Sequence, residues 1–179
     1  MKKIAIIGNS CSGKTKLSRF LAVKYNLPLT HVDSIQFLPG LLLRDPADTR
    51  RVLVGIADRD EWIIDGFGPL KIIEDRFSKA DVVIFIRLPL WRSYYWCLLR
   101  QMKGLFVQRQ ELPEGCFEAT FVQTRKLFKT IWNMHRGLWP QLDRIFLREL
   151  YKNKVIYIRS VSELDRVFRV GLKNYKLTP

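Results

Sequence analysis

Cysteine and histidine are scarce in this 179-residue chain, with three of the first and two of the second. Cys11, Cys97 and Cys116 are odd in number and spaced for neither a disulfide framework nor a zinc site, which points to a reduced, cytoplasmic setting. Long apolar runs are missing too. Arg92 interrupts the best candidate, around Leu88–Leu99, so a membrane span is rejected and no membrane partner is expected. The apolar run Ile4–Ile7 is too short for a signal peptide. Internal repeats and low-complexity stretches are absent. Acidic residues are few, 17 Asp and Glu against 31 Lys and Arg, for a formal net charge of +14. The excess is uneven: residues 1–90 hold 14 basic and 10 acidic residues, residues 91–179 hold 17 and 7. A basic half attracts polyanions such as nucleotides or nucleic acid. The competing reading is a solvated cationic surface, since no five basic residues are adjacent.

Hydrophobic residues make up 47% and charged residues 27%, which excludes global disorder. The length fits one domain over residues 1–179 with a sizeable core. Apolar runs and helical periodicities alternate along it. Ile4–Ile7 reads as a buried strand that ends in Gly8, and Lys14 to Tyr25 as a helix. Leu29–Asp33 reads as a second strand. Asp45 before Pro46 reads as an N-cap with proline at the first helical position, for a helix to about Asp58. Strands are expected at Trp62–Gly66, Val82–Leu88 and Val155–Ile158. Helices are expected at Leu90–Lys103, from about Ala119 to Leu150, and at Val161–Val170. The expectation is an α/β fold, a five-stranded parallel sheet with helices on both faces. Ligands of such sheets sit beyond the carboxyl ends of the strands, where Gly8, Asp33 and Asp65 all fall.

Gly8-Asn9-Ser10-Cys11-Ser12-Gly13-Lys14-Thr15 has the spacing of a phosphate-binding P-loop, between an apolar strand and an amphipathic helix. Its glycines let backbone N–H groups converge on phosphate oxygens, and the helix N-terminus adds positive potential. Lys14 is expected at the β- and γ-phosphates of ATP and the Thr15 hydroxyl on Mg²⁺. Asp65, at a strand end, is a candidate Mg²⁺ partner through water. Asp33 is a candidate base or orienting group for an acceptor hydroxyl. Each aspartate could instead cap a turn. Arg100 and Arg109 bracket Gly104–Val107, a candidate mobile lid, where they could neutralise a transferring phosphate. His31 reads as a packed strand side chain, His135 as surface or interface, and Cys11 as a small residue that fits the loop. On a helical wheel Arg125, Lys129, Trp132 and Arg136 fall within an arc of about 60°. Leu127, Ile131, Met134 and Leu138 fall on another, read as core-facing. The basic stripe then either overhangs a cleft or lies in solvent.

On these residues the chain resembles the adenylate-kinase-like P-loop proteins, and more closely the group called FlaR or DNA topology modulation proteins. The likeness runs through Ile4–Thr15, Val32-Asp33, Arg44-Asp45, Trp62–Gly66, Arg76, Ala80-Asp81, Arg109 and Glu114–Glu118. It implies a P-loop NTPase fold that is nucleoside-monophosphate-kinase-like, with a short lid near residues 104–118. It also implies ATP and Mg²⁺, with Lys14, Thr15 and Asp65 at the nucleotide. Nucleoside monophosphate kinases tend to carry Asp-Gly-Phe-Pro-Arg, whose arginine grips the acceptor phosphate. Here the run is Asp65-Gly66-Phe67-Gly68-Pro69-Leu70, which leaves Arg76 as the candidate replacement. The leading expectation is transfer of the γ-phosphate of ATP to a small-molecule or nucleotide acceptor. The alternative, from the group's label and the basic second half, is a nucleotide-dependent DNA-binding regulator.

Overall fold

The computed structural model describes residues 1–68, 73–104, 121–146 and 148–172. Five strands form one parallel sheet: β1 (Lys3–Gly8), β2 (Leu29–His31), β5 (Trp62–Asp65), β6 (Val82–Ile86) and β7 (Val155–Ile158). Their order is β2-β5-β1-β6-β7, with β1 in the middle. Its register sets Ala5 opposite Ile64 on one side and Val83 on the other. A small antiparallel hairpin, β3 (Phe37–Leu38) with β4 (Leu42–Leu43), stands apart from the sheet.

Strand side chains alternate between two apolar layers. Ile4 and Ile6 face one layer, against Leu17 and Leu21 of α1 (Lys14–Tyr25) and Leu164 and Val167 of α9 (Val161–Val170). Ala5 and Ile7 face the other, with Leu53 of α3 (Pro46–Ala57), Phe77 of α4 (Ile73–Lys79) and Trp139 and Leu142 of α7 (Trp139–Phe146). Both faces of the sheet are thus covered, as the continuous Ile/Val runs require. The expected cap of α3 is present: the Asp45 carboxylate accepts from the N–H groups of Ala47 and Asp48 at 2.8 and 3.3 Å.

The structure departs from the sequence reading in three places. The second strand stops at His31, and Val32–Gln36 form a short helix, α2. Asp33 therefore lies in the first turn of a helix, where a carboxylate meets free N–H groups and a favourable dipole. The strand expected to reach Leu88 stops at Ile86, ahead of Pro89, which has no N–H for a ladder. The long helix expected from Ala119 to Leu150 is three helices: α6 (Phe121–Asn133), α7 and α8 (Glu149–Lys152). A π turn, Met134–Leu138, joins the first two, with the Trp139 N–H bonded to the Met134 carbonyl. Proline supplies the reason. Pro140 lacks the N–H that the Arg136 carbonyl would take in a regular helix, and its ring crowds that carbonyl. The helix over Leu90–Gly104, α5, is as expected.

Candidate active site

The phosphate loop leaves β1 at Gly8. A Cβ there would stand 2.7 Å from the Ile86 carbonyl oxygen and 2.9 Å from Ser12 Oγ, so nothing larger fits. Cys11 and Gly13 adopt left-handed conformations, φ 58° and 88°, which curl the loop. For a cysteine this costs about 1 kcal/mol, strain of the kind held at ligand loops. Gly13 caps α1 without any side-chain hydrogen bond, leaving the first N–H groups of the helix for an anion.

Asn9 is fully buried. Its Nδ2 donates to the Ile131 carbonyl of α6 at 2.9 Å, and its Oδ1 accepts from the Ser10 N–H at 2.8 Å. Its own carbonyl accepts from Lys14 Nζ at 2.8 Å. The loop is thereby tied to α6, and the lysine is folded back across it. Burial pulls the Lys14 pKa below its usual value; Asp65 and then Asp33 act against that, and Arg100 adds to it. The ammonium is thus under-compensated, and an incoming phosphate would supply the missing counter-charge.

Asp65 ends β5 and is almost wholly buried. Its Oδ2 lies 3.2 Å from Ser18 Oγ and 3.1 Å from His31 Nδ1. An ionised carboxylate only accepts, so this geometry assigns the ring proton to Nδ1. Asp65 Oδ1 is buried and has no hydrogen-bond partner among the described residues. The Thr15 hydroxyl and Asp65 line the same cavity. A hydroxyl and a carboxylate with an unused oxygen suit a hard divalent cation that keeps water and phosphate as its other ligands. No group of three His, Cys, Asp or Glu capable of caging an ion exists among the described residues.

A cavity of about 880 Å³ joins these parts. One wall is the phosphate loop with Lys16 and Arg19 of α1. A second is His31, Asp33, Gln36 and Phe37, with Asp65, Gly66 and Phe67 after β5. A third comes from Trp96 and Arg100 of α5 and from Leu127, Thr130 and Met134 of α6 and the π turn. Of the residues singled out from sequence, Gly8, Ser10, Cys11, Ser12, Gly13, Lys14, Thr15, Asp33, Asp65 and Arg100 line it. Asn9 does not; it braces the loop from behind. Arg109 and the expected lid beyond Gly104 lie outside the described residues.

Leu127 and Met134 were expected in the core and face the cavity, whereas Ile131 is in the core as expected. Arg125, Lys129, Trp132 and Arg136 are exposed and none lines the cavity, so the stripe lies in solvent. His135 is half-buried, its ring 4.6 Å from that of Trp139. Arg76 is also turned away. It is buried, and its Nη2 donates to the Gly66 and Phe67 carbonyls at 2.8 and 3.2 Å. Burial lowers its pKa to about 10, against the attraction of Asp65. Sequence reasoning missed Ser18 and undervalued His31. For Ser18 a signal was available, since it stands four residues after Lys14 on the same helical face; for His31 none was, because its partner Asp65 is set beside it by the register of β2 with β5.

Fold and site together define an α/β P-loop fold of the nucleoside-monophosphate-kinase-like type, with a nucleotide-sized cavity at the strand ends. Solved structures carry the same fold. A shikimate kinase from Acinetobacter baumannii in complex with shikimate superposes with a TM-score of 0.55 at 15% identity, covering 96% of this chain and 92% of that one. A shikimate kinase from Bacteroides thetaiotaomicron gives 0.51 at 13%, covering 96% of each chain. The sequence matches no family model and no curated protein.

Proposed function

We propose that this chain is an ATP-dependent kinase that phosphorylates a hydroxyl group of a small molecule carrying no phosphate of its own. The observation that carries the reading is one cavity in which a half-buried, under-compensated Lys14 and an unpartnered Asp65 oxygen meet a second wall bearing Asp33. Lys14 and the open N-terminus of α1 would hold the β- and γ-phosphates. Thr15 and Asp65 would hold Mg²⁺, which when bound neutralises charge on those phosphates. Asp33 would accept the proton of the acceptor hydroxyl as its oxygen bonds to the γ-phosphorus and the bond to the departing ADP oxygen breaks. Arg100, on the third wall, would balance charge on the group in transit. Most of the rate would come from alignment and charge neutralisation.

Two features favour a non-phosphorylated acceptor. No arginine follows Asp65-Gly66-Phe67 directly, and Arg76, whose Nη2 donates to the Gly66 and Phe67 carbonyls, does not line the cavity. Among the described residues the acceptor wall supplies two carboxylates, an imidazole, a carboxamide and two phenylalanines and no lysine or arginine, a set suited to a neutral or weakly charged hydroxyl compound. Sugars, hydroxy acids such as shikimate, and nucleosides belong to that class. The deciding experiment is a screen for acceptor-stimulated ADP release across nucleosides, nucleoside monophosphates, sugars and hydroxy acids. Stimulation by a phosphate-free acceptor is expected. If only monophosphates stimulate, the acceptor assignment fails. If nothing stimulates and the protein binds DNA with a steep loss on adding salt, the regulator reading replaces it.

A further inference from the structure

Helix α5 exposes the wrong side chains for a helix whose surroundings are water. Trp91, Tyr95, Leu98 and Met102 are 60%, 49%, 49% and 64% exposed. Their spacing of four, three and four residues sets them within about 60° of one another on one helical face. The opposite side of the helix is the buried one, at Ser93 and Cys97. The stripe is therefore not a frayed edge of the core. It spans roughly 16 Å at 1.5 Å per residue, with Leu99, 38% exposed, along its margin. Scattered exposed apolar residues are ordinary, but a contiguous row of four marks a contact surface.

Charge identifies the partner. Helix α6 packs beside α5 through the Tyr94 and Phe128 rings, 4.9 Å apart, and turns its own buried residue, Ile131, toward the protein. The outer sides of both helices therefore face the same way. Residues 90–104 and 121–138 contain seven Lys and Arg and no Asp or Glu. On that outer side Arg92 lies over the Trp91 ring at 4.3 Å and Arg136 over the Trp132 ring at 4.9 Å. Among the described residues of the two helices, an apolar row of Trp, Tyr, Leu and Met flanked by cations and by no carboxylate matches an anionic lipid surface, which takes the row into its acyl boundary and the cations among its headgroups. A second copy of the chain meets this face with like charge on like charge. Nucleic acid answers the charge but leaves Leu98 and Met102 without an apolar partner.

We propose that the outer face of α5 and α6 docks on anionic membrane surfaces, with α5 lying along the interface. Among the described residues no helix is long and apolar enough to cross a membrane, so the contact is peripheral. From sequence neither a span nor a membrane partner is expected; an interfacial helix is compatible with the first expectation and, if the proposal holds, replaces the second. The inference is independent of the kinase reading, because none of the four stripe residues lines the cavity.

The test is co-sedimentation of the full chain with vesicles of phosphatidylcholine alone and of equimolar phosphatidylcholine and phosphatidylglycerol. Binding is expected only to the second, with a blue shift of tryptophan emission and release by added salt. The double substitution Leu98→Ser with Met102→Ser should lower the partition coefficient about tenfold or more, because the loss of apolar area is felt only if the row enters the lipid. Unchanged nucleotide binding by that variant checks that it folds. No binding to anionic vesicles overturns the proposal. So does binding that the double substitution leaves intact, a dimer that the same substitution dissolves, or a preference for oligothymidylate over the vesicles.

Discussion

On the proposed reading Lys14 and Asp33, which both line the cavity, would divide its chemistry between donor and acceptor, and each makes a separable prediction. Lys14→Ala should leave the fold intact, because this side chain sits on the phosphate loop and not in either apolar layer. Phosphoryl transfer should fall well over tenfold, the loss of a principal transition-state charge at about 1.4 kcal/mol per decade. A variant keeping more than about a tenth of the turnover sinks the role. The pH dependence follows from the same lysine. Its pKa is lowered by burial, so the ammonium that pairs with phosphate is lost as pH rises through a value below 10.5. ATP affinity should therefore decline on the alkaline side earlier than an exposed lysine would make it, and the Lys14→Ala protein should lack that decline. Calorimetric titration at stepped pH measures both. Asp33→Asn keeps shape and removes charge. Acceptor-dependent turnover should drop on the order of a hundredfold, while ATP affinity stays within about threefold. If Asp33 only supported its helical turn, asparagine would cost about 0.3–1 kcal/mol of stability through the lost charge–dipole attraction, and neither quantity would move.

At the scale of the element, the phosphate loop depends on a helix more than a hundred residues away in sequence. Asn9→Ala removes the donor to the Ile131 carbonyl and the acceptor of the Ser10 N–H. The expected cost is about 1–3 kcal/mol of stability, read from denaturant midpoints, together with a raised KM for ATP. Asn9→Asp should cost more, since it sets a carboxylate against a carbonyl oxygen. An unchanged KM in both variants would mean that the brace does not shape the loop. This link also marks the limit of what the sequence disclosed. The five parallel strands, α1, α3, α5, α9 and the phosphate loop were legible because each rests on local signals: an apolar run, a cap, a glycine spacing. Asp65 was legible as the polar end of an apolar strand. The role of Asn9 was not, because its partner is a backbone carbonyl that no residue type announces. The break in the long helix was overlooked although Pro140 stood in plain view, its effect hidden by an apolar period that continues through it. His31 was discounted because a lone strand histidine says nothing of the aspartate beside it in the next strand, a neighbour fixed only by the register of β2 with β5.

For the whole molecule, binding and folding are linked. A nucleotide that contacts the phosphate loop, Asp65 and the α5–α6 wall bridges separate parts of the fold and stabilises it by mass action. At a hundredfold excess over Kd, ATP with Mg²⁺ should add about 2.7 kcal/mol, which for a chain of this size raises Tm by roughly 5–10 °C. The shift should vanish in Lys14→Ala and shrink on adding EDTA; scanning calorimetry or dye-monitored melting reads it. The position of β1 has a further bearing, on how the chain comes to be folded at all. The strand that precedes the others in sequence is the one at the centre of the sheet, and its two neighbours lie about 60 and 80 residues further along. A nascent chain therefore carries its central strand, with the phosphate loop behind it, unpaired on one side until Val82–Ile86 has been synthesised. Contacts of such long range make for slow folding and a sticky intermediate. A ribosome stalled before Val82 should hold a protease-sensitive chain, and one stalled well beyond Ile86 a chain in which β1 has become resistant.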